Sequence, residues 1–148
     1  MAIAFLVCAG APDASGSAPA GSSVRVAGIV LKWVPGDRAA NYRRAERLIR
    51  EAAGNGARIV CTPESFLDGY SIRNPSLSTE QFRSLAEPVP NGVYFGRLQR
   101  LADELGIYLI AAITELDGEK VYNSAVLVGP DGKLIGTYRK WTAGDGAC

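Results

Sequence analysis

Residues 57–64 read Ala57-Arg58-Ile59-Val60-Cys61-Thr62-Pro63-Glu64. The first six are largely apolar and β-prone. Gly54-Asn55-Gly56 precedes them and a proline follows, so they read as a buried strand. Upstream, residues 41–53 place Ala45, Leu48, Ile49, Ala52 and Ala53 at i, i+3, i+4, i+7 and i+8. That is the stripe of an amphipathic helix. Arg43, Arg44, Glu46, Arg47, Arg50 and Glu51 fill the remaining surface, which reads as a solvated face because Glu46 and Arg50 stand at i,i+4. Asp37 or Asn41 caps its start, and Gly54-Asn55-Gly56 stops it. Before the helix, Val24-Arg25-Val26-Ala27-Gly28-Ile29-Val30-Leu31 is another β-branched, apolar run. Strand, helix and strand make a βαβ unit, with parallel strands and a right-handed crossover.

Downstream, residues 63–78 form a long loop rich in Ser, Pro and Gly, a length that is usually functional inside a compact domain. Residues 79–87 read as a short helix. Asn91 is placed to cap a second amphipathic helix, with Tyr94, Leu98, Leu101, Ala102 and Leu105 on one face and Gly106 at its end. Residues 107–116, 121–128 and 133–138 read as three strands. Asp117-Gly118 and Gly129-Pro130-Asp131-Gly132 turn the chain between them. The expected fold class is α/β, one mixed β-sheet layer with helices on one face. Residues 1–23 carry an apolar run and then a Pro/Ser/Ala/Gly stretch, with Ala18-Pro19-Ala20 in the A-x-A pattern of a cleavage site. No Lys or Arg precedes the apolar run, which argues against a signal peptide. A disordered leader is expected there, secretion being the alternative. The folded region is expected over 24–140 and an irregular tail over 141–148.

Composition narrows the chemistry. The chain has 148 residues, a net charge of +1, three cysteines and no histidine. That length builds one domain with a real core. The charge balance gives no case for nucleic acid or an anionic membrane, and no apolar run is long enough to span a bilayer. Without histidine, Ser-His-Asp and Cys-His catalysis and imidazole-bound zinc are excluded for this chain by itself. Cys8, Cys61 and Cys148 are far apart and form no CxxC, so no metal site is expected. Sparse, reduced thiols point to the cytoplasm. Any chemistry must use carboxylate, amine, hydroxyl or thiol.

Two residues stand out. Glu64 follows Pro63 at the carboxyl end of the second parallel strand, where open α/β sheets place their ligands. The proline fixes its own φ and holds Thr62 extended, so the carboxylate leaves the sheet at a set angle, as a general base requires. A water-exposed Glu at a strand end is the plain alternative. Lys140 closes Tyr138-Arg139-Lys140 at the end of the last strand, where a solvated basic patch is the plain alternative. Glu115 and Asn123 read as structural, orienting the hairpin. Tyr70 reads as a pocket-lining hydroxyl or a half-buried aromatic.

The stretch Cys61-Thr62-Pro63-Glu64-Ser65-Phe66-Leu67-Asp68-Gly69-Tyr70 resembles the first signature of the nitrilase superfamily, the carbon–nitrogen hydrolases. Ile113-Thr114-Glu115, Val121-Tyr122-Asn123-Ser124-Ala125-Val126-Leu127, Pro130-Asp131-Gly132 and Tyr138-Arg139-Lys140 resemble the second. The similarity covers residues 24–140. It implies the N-terminal half of an αββα sandwich that forms homo-oligomers in the full-length family. It implies a Glu–Lys–Cys site that hydrolyses a nitrile or amide, with no metal or organic cofactor. Glu64 matches the general base, Lys140 the cation at the tetrahedral intermediate, and Tyr70 a substrate-pocket residue.

The resemblance places the nucleophilic cysteine on a strand some tens of residues beyond the lysine, and the sequence stops at Cys148. Cys61 sits inside a strand and Cys148 on a Gly-rich tail, neither suited to hold a thiolate in attack geometry. The expectation is a hydrolase truncated before its nucleophile, its activity alone left open, with Val26, Ile29, Ile59, Ile110 or their neighbours, depending on register, on an open sheet face that drives association. A non-catalytic assembly or binding subunit on the same scaffold is the competing reading. A nucleotide-binding domain is disfavoured, because no GxGxxG or GxxxxGK[ST] follows a strand.

Overall fold

The computed structural model describes residues 4–7 and 23–141. The strands are β1 (Ala4–Val7), β2 (Arg25–Gly28), β3 (Ile59–Cys61), β4 (Glu87–Pro88), β5 (Tyr108–Asp117), β6 (Lys120–Val128) and β7 (Leu134–Arg139). The helices are α1 (Arg38–Gly54), α2 (Thr79–Leu85) and α3 (Val93–Leu105), with a 3-10 turn at Ser71–Arg73. All strands join one mixed sheet in the order β1-β2-β3-β5-β6-β7. β2, β3 and β5 are parallel, as the βαβ reading requires, and β5, β6 and β7 form an antiparallel meander. Two strands are additional to the sequence reading. Within the stretch expected as a leader, Ala4–Val7 pairs antiparallel with the open edge of β2; the rest of 1–22 lies outside the described residues, as does the expected tail from 142 onward. β4 pairs with β5 at Glu87↔Glu115, an edge available because β5 runs ten residues and its neighbour β3 only three.

Alternation along the strands separates two faces. Val60, Leu109, Ile113 and Val126 point to one face, where Leu48 and Ile49 of α1 and Leu98 and Leu101 of α3 bury against them. Each such side chain contributes about 1.5–3 kcal/mol by leaving water. The other face carries Val26, Ile59, Ile110, Ala125 and Leu127, all only half-buried. Ile29 departs from expectation. It is 4% exposed within the helix-side core, because the extended chain continues past β2, its amide bonded to the Cys61 carbonyl, and keeps Ile29 in phase with the buried Ala27 and Leu31.

The helix starts also differ from the sequence reading. Asp37 caps α1, its carboxylate accepting from Ala40 N at 2.8 Å. Asn41, the other cap candidate, is fully buried inside the helix. α2 begins with a capping box, Ser78 and Gln81 each accepting from the other's amide. Gly92, not Asn91, is the N-cap of α3. The capping oxygen comes from Glu87 on β4, which accepts from Tyr94 N at 2.6 Å and Phe95 N at 2.9 Å and pairs with Arg38. A Cβ at position 92 would run into the Glu87 carboxylate, so only glycine fits. Removing Glu87 leaves Arg38 without its carboxylate and α3 uncapped. Glu87→Ala is expected to lower stability by about 3 kcal/mol, read as a shifted urea midpoint with unchanged slope.

Candidate active site

The chain leaves β3 through Thr62, whose amide donates to Ile110 O at 2.9 Å and whose hydroxyl accepts from Ala112 N at 2.9 Å. The hydroxyl thus replaces the carbonyl that a longer β3 would have offered to β5. Pro63 and Glu64 follow. The next residues turn sharply, with Ser65 at φ 46° and Tyr70 at φ 60°, both left-handed without being glycine. Such geometry costs about 1–3 kcal/mol per residue and persists only where surroundings enforce it. Gly69 takes φ 70° in a place where a Cβ would sit 2.8 Å from Val34 O.

Buried polar bonds enforce the turn. Asp68, 1% exposed, accepts from Ser71 N at 2.7 Å and from the Thr114 hydroxyl at 2.8 Å. Burial pushes its carboxyl up, against the pull of those bonds. Asn41 accepts from Val34 N at 2.7 Å and donates to Val34 O and to Leu67 O at 3.0 Å. Phe66 and Leu67 plug the loop into the core.

The opposite wall comes from the meander. Lys140 N donates to Asn123 O at 2.8 Å, so the end of β7 lies beside Asn123 on β6. Alternation then sorts the side chains. Arg139 turns to the helix side, where it forms a bidentate pair with Glu115 at 2.7 and 3.0 Å, and Ser124 adds a bond at 2.5 Å. Burial raises the Glu115 carboxyl, but Arg139 and Ser124 outweigh it and hold the group below its ordinary value. Lys140 and Asn123 turn to the other face and meet Glu64.

Glu64 therefore sits in a cluster of three donors. Lys140 Nζ lies 2.8 Å and Asn123 Nδ2 2.6 Å from Oε1, and the Tyr70 hydroxyl donates to Oε2 at 2.8 Å. These bonds, Lys140 first, then Asn123 and Tyr70, hold the carboxyl down at about 2. The structure brings together all three residues singled out in the sequence, Glu64, Lys140 and Tyr70. It splits Glu115 from Asn123: the first braces the hairpin from the far face, and the second touches the carboxylate. Cys61 is a free, half-buried thiol that burial raises, the reverse of activation. Cys8 and Cys148 lie outside the described residues. Among the described residues no three His, Cys, Asp or Glu side chains gather as metal ligands, and no helix is long and apolar enough to cross a membrane.

Known proteins are similar to this chain in sequence and in fold. Residues 25–144 match the carbon–nitrogen hydrolase family, and the chain belongs to it. It is 42% identical over 100 residues to a nitrilase of Pyrococcus abyssi, covering 68% of this chain and 36% of that protein. It is 42% identical over 101 residues to the human omega-amidase NIT2, covering 68% and 34%. Among solved structures it superposes on Saccharomyces cerevisiae Nit3, of the nitrilase superfamily, with a TM-score of 0.65 at 33% identity, covering 79% of this chain and 44% of that one. An amidase from Nesterenkonia sp. gives 0.63 at 27%, covering 86% and 46%. The chain spans roughly a third of the length of the curated relatives it matches. The fold is thus the mixed sheet and one-sided helix layer of a nitrilase-type αββα sandwich.

The electrostatics of the cluster are testable. A carboxyl depressed when folded adds stability that is complete above its unfolded value and is lost as pH falls from the ordinary range near 4.3 toward about 2. Lys140→Met removes the largest cause. In that variant the Glu64 carboxyl, followed by carbon-13 NMR, is expected to titrate closer to its ordinary range, and the acid-side stability loss to begin at higher pH.

Proposed function

We propose that this chain supplies the base and the cation of a hydrolase for non-peptide carbon–nitrogen bonds, acting on small nitriles or amides. The carrying observation is the 2.8 Å contact between Glu64 and Lys140, 76 positions apart in the chain. In this reading a cysteine thiol gives its proton to Glu64 and the sulfur attacks the amide carbon. Lys140 donates to the oxygen that becomes negative. The proton passes from Glu64 to the nitrogen as the carbon–nitrogen bond breaks, and ammonia or an amine leaves. Water, deprotonated by the same carboxylate, then hydrolyses the thioester.

The hydrogen-bond pattern supports a choice of oxygen. Oε1 already takes two donors, whereas Oε2 takes only the Tyr70 hydroxyl and keeps a lone pair to receive the proton. Glu64 paired with Lys140 is a weak base. As Lys140 turns toward the developing oxyanion, the carboxylate regains basicity at the moment the thiol proton arrives.

Cys61 does not fit the nucleophile, since burial raises its thiol. The reading assigns the thiol to a region that the longer relatives carry outside the matched segment. A non-catalytic subunit is the second reading, supported by the same raised thiol. A cytoplasmic, homo-oligomeric enzyme completes the first; the free Cys61 is consistent with a reducing compartment.

Ammonia release from a panel of small amides and nitriles tests this. It is measured for the 148-residue chain and for a fusion that adds the unmatched part of the Pyrococcus abyssi relative. The fusion is expected to be active and the short chain silent. Glu64→Gln and Lys140→Met in the fusion are each expected to lose at least about a thousandfold in kcat/KM. Full activity in Glu64→Gln, or turnover by the short chain, contradicts the assignment; an inactive fusion that folds and binds amides favours the non-catalytic subunit.

A further inference from the structure

The segment between the site loop and β4 is pinned at its ends and loosely held in its middle. Ser71, 2% exposed, is fixed by its amide bond to the Asp68 carboxylate at 2.7 Å. Ala86, 3% exposed, leads into Glu87, the carboxylate that caps α3. No residue from 72 to 85 is buried, although α2 lies inside that stretch. The Ser78–Gln81 capping box that starts α2 is internal to the segment and travels with it. From α1, Arg38 Nη1 comes no nearer than 3.5 Å to Ser84 O, at the limit of a hydrogen bond. A strap with few buried apolar contacts is the part of a chain that opens at least cost.

Phe82 is the aromatic side chain that this strap lays against the sheet. Half-buried, it lines two cavities at once, with Val121 and Tyr122 of β6 as the other shared walls. The inner cavity, about 40 Å³, also touches Tyr70 and Asn123, both of which bond Glu64. That space is on the scale of a single water molecule. The outer cavity, about 480 Å³, opens between α2 and the β5–β6 turn at Thr79, Arg83, Glu119 and Lys120. The Phe82 ring therefore stands between a space too small for a chain of several carbons and one of ordinary ligand size. Ile72 and Phe82 ride on the strap, whereas Val121 and Tyr122 belong to β6, so lifting the strap parts one pair of walls from the other.

We infer that Phe82 is a gate and a size determinant: with the strap closed its ring limits the space beside the Glu64 cluster, and with the strap lifted the two cavities join into one path toward the carboxylate. The gate stands on the geometry alone. The role as size determinant rests on the hydrolase reading. Ile72, Phe82, Val121 and Tyr122 make the walls of the path near the cluster largely apolar, so the substituent it admits is an aliphatic chain.

Ser65 lines the inner cavity at 4% exposure and can report on the gate. In a Cys8→Ser, Cys148→Ser background, Ser65→Cys is treated with N-ethylmaleimide, and labelling at positions 65 and 61 is followed separately by peptide mass spectrometry. Cys61, half-buried and outside both cavities, is the internal reference for unfolding. Phe82→Ala is expected to speed labelling at 65 at least about tenfold while the rate at 61 stays the same. Phe82→Leu, which keeps an apolar side chain against β6, is expected to give an intermediate rate at 65 and the same rate at 61. A rate at 65 that neither substitution changes overturns the gate, and so does acceleration at 61 that matches the one at 65 in Phe82→Leu. The labelling needs no turnover. In the fusion, the kcat/KM ratio of hexanamide to acetamide is expected to rise at least about tenfold in Phe82→Ala. An unchanged ratio overturns Phe82 as the size determinant. A fusion that releases no ammonia from either amide counts against the hydrolase reading, and the labelling rates at 65 still decide the gate.

Discussion

The buried carboxylate of Asp68 is the constraint on which the site depends. It holds the Ser71 amide on one oxygen and the Thr114 hydroxyl on the other, at 1% exposure. One side chain thereby fixes the loop after β3 to the middle of β5. With Asn41 clamping Val34 and Leu67 from α1, the chain from Glu64 to Tyr70 has no room to relax its two left-handed residues. Breaking a buried polar clamp of this kind costs more than the net worth of its bonds, because the abandoned partners stay out of water. The Glu64 carboxylate itself is partly exposed, and solvent screens its ion pair with a half-exposed lysine. The buried polar clamps lie beneath the site, and the Glu64 cluster lies nearer the surface.

That division matters for the electrostatics. Three donors around Glu64 keep it ionised well into acid, which fixes its position and charge before substrate arrives. The same donors make it a poor proton acceptor. A fixed cation that never left the carboxylate would be a structural ion pair. In the proposed hydrolase, Lys140, on a long side chain just past the end of β7, passes its hydrogen bond from carboxylate to oxyanion. Asn123, on the shorter and firmer anchor of a mid-strand position, stays and keeps the carboxylate oriented. The two residues share one oxygen, and in the proposed mechanism their anchoring gives them opposite tasks.

The sequence made much of this legible, for physical reasons that particular residues show. The α1 stripe at Ala45, Leu48, Ile49 and Ala52 is strictly helical and lies buried as read. Pro63-Glu64 announced a carboxylate leaving a parallel strand. Asn123 was less visible, because an Asn in a strand is ordinary until its face is known. That face follows from the alternation shared with Lys140, and so from a cross-strand register that local pattern does not fix. The capping of α3 was hidden for a related reason. Asn91 looks like a cap by type, but the oxygen comes from Glu87, delivered by a two-residue strand too short to leave a periodic trace. Ile29 was grouped with Val26, but the two stand three residues apart, so alternation that continues through Ala27, Ile29 and Leu31 puts them on opposite faces.

The cluster and the half-buried apolar residues lie on the same side of the sheet. Lys140 and Asn123 alternate with helix-facing neighbours, and so do Ile110, Ala125 and Leu127. Whatever layer covers that apolar surface also removes water from around Lys140, whose side chain is 51% exposed here. An ammonium in water stabilises an oxyanion weakly, and the same ammonium in a dry pocket does so strongly. In the proposed hydrolase, burial of this sheet face and activation of the cation are one event. In the proposed hydrolase, a layer over this face supplies the low dielectric that gives the carboxylate and the amine their catalytic force.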